Sequence, residues 1–173
     1  MRQSMSRGKF AKYSQLLGLV LSGIFILIYM SFRRDVFSDV VLSFDIIMGF
    51  IFILAVSIFI HEYIHYASFT FNGGADKGLV DYRFSRKALT PYVVCRDKVK
   101  ACRYMVSAIL PFLLLGVLLF IISIVYGSRF VFWLSVYQIY GSSGDLLLFF
   151  MLTKFDASRF VVRTVGEVGF ETL

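Results

Sequence analysis

Four apolar stretches, separated by polar and charged segments, set the pattern of this chain. The first runs over 13–32 and includes LLGLVLSGIFILIYM; Arg33, Arg34 and Asp35 end it. Apolar character resumes near Val40, and the second stretch is assigned to 42–71. The third covers 104–126, with Pro111 inside it, and the fourth covers 130–152, punctuated by Gly141 and Gly144. Each has the ~20 residues that a helix needs to cross a hydrocarbon core of ~30 Å. The second is longer than one bilayer thickness, so it tilts or its last turns leave the lipid. Asn72, Gly73 and Gly74 then supply a helix stop. Pro111 is expected to kink the third helix or to mark a helix start. Gly127, Ser128 and Arg129 form a tight turn between the third and fourth.

The polar segments carry less structure. Residues 1–12 are basic and expected to be partly disordered. Within 75–103, LVDYRF and TPYVVC are rich in β-branched and aromatic residues and are separated by Ser-Arg-Lys-Ala. They predict two strands, arranged as a hairpin. The tail to Leu173 is polar, with strand-like pieces such as RFVVRTV. The expected fold class is an all-α polytopic membrane protein, with about four transmembrane helices and a small cytoplasmic β-like insertion. Residues 1–173 are read as a single membrane-embedded domain.

Composition strengthens that reading. Of the 173 residues, 58% are hydrophobic and 18% aromatic, and mean hydropathy is +0.78. A chain this short cannot hide so much apolar surface in a water-soluble core, so lipid must cover part of it. The first stretch lacks a small-residue cleavage site and is read as a retained helix.

The net charge is +7. The basic residues lie between apolar stretches, which points to membrane topology and anionic lipid; nucleic acid is not an expected partner. With the amino terminus in the cytoplasm, fifteen of the eighteen Lys and Arg fall on the cytoplasmic side. Only Arg33, Arg34 and Arg129 lie outside. The positive-inside rule therefore predicts a multi-pass protein of the cell membrane with both termini cytoplasmic. Cys95 and Cys102 have no CxxC spacing, and a reducing compartment argues against a disulfide.

Ionisable groups are costly at bilayer depth, so those inside the apolar stretches carry information. They are Asp45, His61, Glu62, His65 and Asp145. Asp45 sits near the outer end of its stretch and can reach interfacial water. His61-Glu62-Tyr63-Ile64-His65 is an HExxH motif on a predicted helix, and it holds both histidines of the chain. Residues four apart share one helix face, so two imidazoles converge on one zinc ion. Glu62, beside the first ligand, is placed to take the proton of a water whose pKa the zinc lowers. Catalytic zinc takes three protein ligands. Asp145, in GSSGDLL, is the leading candidate for the third: it precedes Lys154 by nine residues, as His65 precedes Asn72 by seven, so the depths match. Gly141 and Gly144 are expected to let the fourth helix approach closely or unwind beside the metal. Asp81 and Glu167, in polar segments that can fold back, are the alternatives.

HEYIH on the second stretch with GSSGDLL on a later one resembles the site-2 protease class of intramembrane peptidases. The chain more closely resembles small bacterial membrane proteins of the "putative zincin peptidase" family. The shared layout is HExxH, a polar segment with a TPYVVC-like stretch, a span containing proline and a late Gly-Asp. The resemblance implies a zinc metallopeptidase with His61 and His65 as ligands, Glu62 as catalytic acid/base and Asp145 as third ligand. Its implied substrate is a membrane protein or a membrane-associated peptide. An intramembrane protease must hold its substrate extended, and an exposed strand edge does so through main-chain hydrogen bonds. Residues 79–84 or 91–95 are the expected edge, with Tyr92, Val93 and Val94 as substrate-binding residues. A non-catalytic metal-binding membrane protein is the competing reading; only one ligand cluster is visible, which disfavours metal transport.

Overall fold

The computed structural model describes residues 2–33, 44–72, 79–85, 90–96, 98–164 and 167–172. The stop at Gly73 and Gly74 and the interruption at Arg34 and Asp35 lie outside these residues. Helix α1 spans Arg7–Phe32, and α2 spans Phe44–Ala67, extended by one π-helical turn over Ser68–Asn72. A third long helix is built in three parts: α3 over Ala101–Pro111, a π turn over Phe112–Val117, and α4 over Leu118–Tyr126. These three are long and apolar enough to cross a membrane. At 1.5 Å per residue α1 is about 39 Å long, so its basic first turns extend beyond a ~30 Å core.

The fourth apolar stretch departs from the expected single span. It forms α5 over Arg129–Gly141 and α6 over Ser143–Leu152, with the break at Ser142. Neither half reaches the length of a full span on its own. The unwinding anticipated beside Gly141 is present, but the close approaches lie elsewhere. A Cβ on Gly141 would meet nothing, and one on Gly144 would touch the Phe10 ring at an ordinary 3.8 Å. On Gly18 of α1 it would lie 2.8 Å from the Tyr140 ring, and on Gly116 2.9 Å from Ile139. The small residues that let helices meet α5 and α6 are thus on the partners. At the tight turn, Gly127 adopts φ +67, a left-handed helix cap that favours glycine. The Arg33 guanidinium donates to the Ile124 carbonyl at 3.0 Å, capping the same helix end.

The β structure is larger than expected. Strands β2, Val80–Ser85, and β3, Thr90–Cys95, form the anticipated antiparallel hairpin. A second sheet joins β1 (Arg2–Met5), β6 (Val168–Thr172), β5 (Phe160–Arg163) and β4 (Val99–Lys100), in that order, with every pairing antiparallel. So residues 2–5 are not disordered. Met5 of β1 packs onto a common core with Val168 and Phe170 of β6, and an alternation of four residues is too short to be read as a strand alone. The sheet brings both ends of the chain and the start of α3 to one end of the helices.

Two apolar cores result. Beneath the four-stranded sheet lie Phe69, Tyr104, Leu152, Val161 and Phe170 with their neighbours. At the far end Tyr29 stacks on Phe132 at 4.0 Å, beside Phe120 and Val136. Buried polar side chains, among them Ser57, His61, His65, Ser107, Gln138 and Ser142, also lie within the bundle.

Candidate metal centre

His61 and His65 are one turn apart on α2, and both are buried. Their rings stand 5.1 Å apart between centroids. Asp145 enters from the first turn of α6, three residues after the Ser142 cap. The break at Ser142 places this carboxylate at a helix amino terminus, where backbone N–H groups and the helix dipole favour a negative charge. Asp145 Oδ2 lies 3.1 Å from His61 Nε2 and 3.4 Å from His65 Nε2. One potential ligand atom from each of the three residues falls within 4.8 Å of the others.

These distances fit a zinc ion. Zn–N and Zn–O bonds of ~2.0–2.2 Å at tetrahedral angles require ligand atoms about 3.3–3.6 Å apart. The two separations, 3.1 and 3.4 Å, straddle the lower limit of that range. Two imidazoles and a carboxylate are also a donor set suited to zinc. The backbone and amide groups behind the histidines strengthen the fit. His65 Nδ1 lies 2.9 Å from the Ser107 carbonyl, and His61 Nδ1 lies 3.3 Å from Gln138 Oε1. Each oxygen can accept an Nδ1–H, so with a metal bound both histidines would carry their proton on Nδ1 and leave the Nε2 lone pairs for the metal.

Sequence reasoning did not reach these two supports. The Ser107 carbonyl is open because of Pro111. The residue four ahead of Ser107 would normally donate to it, and proline has no N–H. Phe112 N–H turns to Ile109 O instead. The proline noted as a possible kink therefore frees the acceptor for His65. Gln138 is held by its own amide, which donates to Ser57 Oγ at 2.6 Å, while Ser57 donates to Leu54 O at 2.7 Å. Its signal was an amide deep in an apolar stretch, which costs less to bury than a charge but still needs a partner.

Glu62 points the other way, toward the hairpin. Val93 N–H donates to Glu62 Oε2 at 3.0 Å. Tyr82 reinforces the docking, its hydroxyl donating to Phe59 O at 3.3 Å and its ring meeting Tyr66 edge-on. A cavity of about 170 Å³ lies here, lined by Glu62, His65, Tyr92, Val93, Asp145 and Arg163 together with apolar side chains. Of the expected strand-edge residues, Tyr92 and Val93 line it and Val94 does not.

The alternative ligands are elsewhere. Asp81 is bridged by Arg83 and Arg96, each at 2.7 Å. Glu167 pairs with Arg2 at 3.1 Å and accepts from Ser4 Oγ. The Ser4 hydroxyl, and secondarily Arg2, hold its carboxyl below the usual glutamate range.

The family described as "Putative zincin peptidase" matches residues 52–160. The chain belongs to this family. The matched stretch contains HExxH, the hairpin, Pro111, Gln138 and Asp145, and it ends before Arg163. No curated protein and no solved structure matches the chain. Family and geometry together support a possible metallopeptidase with zinc as its metal.

Proposed function

We propose that this chain is an intramembrane zinc metalloprotease that cleaves membrane proteins or membrane-associated peptides. The observation that carries the reading is the convergence of His61, His65 and Asp145 from two helices, with Glu62 on the adjoining cavity wall. His61, His65 and Asp145 would hold a zinc ion, which would supply Lewis acidity toward a peptide carbonyl and toward water. The remaining work belongs to the chain. Glu62 takes the proton of the attacking water and passes it to the departing amine. Its hydrogen bond from Val93 engages Oε2 and fixes the carboxylate's orientation. Gln138 and Ser107 hold the two imidazoles in the ligating tautomer.

The hairpin edge supports a role in holding substrate. Val93 N–H points away from β2, so by antiparallel alternation the backbone groups of Tyr92 and Val94 face β2. The carbonyls of Pro91 and Val93 then face the cavity side, where an extended peptide can pair with them. In this reading the whole chain acts as one membrane domain. The fourth apolar stretch crosses as two half-helices, and both termini lie in the cytoplasm. The four-stranded sheet supports an even number of crossings, since it joins both ends of the chain. Residues of the basic excess then face anionic lipid.

One observation favours a non-catalytic metal-binding protein instead: Glu62 already accepts a structural hydrogen bond. Glu62→Gln separates the two readings. The protease reading expects the variant to bind one zinc per chain and to lose cleavage of a fluorogenic peptide in detergent or liposomes. Full activity in that variant rules the mechanism out.

A further inference from the structure

Arg163 takes no part in the site as described so far. It is the last residue of β5, paired with Phe170 of β6. The Phe170 ring is buried against Tyr104 at 4.7 Å, so this end of the sheet is firmly seated. Arg163, an exposed residue, lines the same 170 Å³ cavity as Glu62, His65 and Asp145, and it is the one Lys or Arg among those lining it. Among the described residues no carboxylate lies within ion-pair distance of it, whereas Arg2, Arg83 and Arg96 each have an acidic partner.

The exposed Arg163 guanidinium stands at the open side of the cavity, where an anionic ligand can reach it. The carboxylates of Glu62 and Asp145 offset a divalent ion, and Arg163 is then one positive charge left over. Phe69, Ala108 and Leu148 contribute apolar wall, which strengthens electrostatic attraction inside. A guanidinium presents a planar fork of donors that matches a carboxylate through two parallel hydrogen bonds. The cavity is small, about 170 Å³, and Arg163, Glu62 and Asp145 all face it. A carboxylate that meets Arg163 is therefore close in sequence to the bond that meets Glu62.

We infer that Arg163 is a specificity residue that clamps a peptide carboxylate next to the scissile bond. The inference rests on the proteolytic reading of the site. The carboxylate belongs either to the peptide's carboxyl terminus or to an acidic side chain, and both share the same chemistry.

The test uses the full chain in detergent with one fluorogenic peptide series. One arm compares the carboxyl-terminal acid with its amide; the other compares Glu with Gln at each position flanking the cut. The wild type is expected to prefer a carboxylate form by about tenfold in kcat/KM, the low end for a charge-assisted pair, mainly through KM. The arm that shows the preference identifies the source. R163Q should bring the ratio between forms to near one, and R163K should restore part of it. Equal rates for all forms in the wild type, or an equal fall in kcat for every peptide in R163Q, overturn the clamp. Labelled peptides binding to E62Q by fluorescence polarisation give a readout without turnover. Tighter binding of the acid form, lost in R163Q/E62Q, supports the clamp even where no peptide is cleaved, and that pattern would count against the protease reading alone.

Discussion

Replacing Gln138 with leucine tests how the site prepares its ligands. In the metal-free protein a neutral His61 can carry its single proton on Nε2, facing Asp145 at 3.1 Å. Binding a metal through Nε2 forces that proton to Nδ1, which faces Gln138 Oε1 at 3.3 Å. Leucine removes the acceptor, and because Gln138 is only 2% exposed, no water replaces it. An unsatisfied buried donor costs about 1–3 kcal/mol. The bond is long, so the lower half of that range applies, and the loss falls on the metal-bound form. Zinc affinity should drop about 5- to 30-fold, in line with the ~10–100-fold typical of lost outer-shell partners. Folding should suffer less, since Ser57 keeps its bond to Leu54 O. Gln138→Glu retains an acceptor and should hold affinity at or above that of the wild type. Competition against a chromophoric chelator measures both variants. An unchanged zinc affinity in Gln138→Leu would refute the reasoning.

Other outcomes follow from the same contacts. Gly18→Ala should destabilise the bundle by about 1–2 kcal/mol in thermal melts, because its Cβ would sit 2.8 Å from the Tyr140 ring. Gly23→Ala, with open space around it, should be neutral or stabilising by up to ~1 kcal/mol through helix propensity. Proline at Val93 removes the donor to Glu62 and should lower cleavage at least tenfold; cleavage that survives proline at both Val93 and Val94 removes the strand-edge role. Glu167, with its carboxyl held below the usual range, contributes its clasp on β1 above about pH 4.5 and loses it as pH falls through the lowered pKa. The hydrogen-exchange protection factors at Gln3 and Ser4, taken against the intrinsic rate at each pH, should fall in that acid window and stay constant across it in Glu167→Gln.

The site was more legible in the sequence than the fold around it. Histidine and carboxylate are so costly at bilayer depth that His61, His65 and Asp145 stood out by chemistry alone, and matched depths paired them. The hairpin was legible because β-branched runs flanked a short polar turn. The four-stranded sheet was not. Its strands are two to five residues long and lie up to about 170 residues apart, so only tertiary packing onto Phe170 and Val161 defines them. The break of the fourth stretch at Ser142 was hinted at by Gly141, but hydropathy does not distinguish one span from two half-helices. Gln138 carried only the faint signal of an amide in an apolar stretch, and the Ser107 carbonyl carried none. Each acts through a hydrogen bond to a residue more than thirty positions away, and the second depends on an N–H that Pro111 lacks.

The central claim is one zinc ion shared by α2 and α6. X-ray absorption at the zinc edge, on the purified chain and on Asp145→Ala, tests it most directly. The account expects one zinc per chain, with two imidazole nitrogens and a carboxylate oxygen at ~2.0–2.2 Å, and loss of that oxygen with weaker binding in Asp145→Ala. An identical zinc environment and affinity in the two proteins would contradict it.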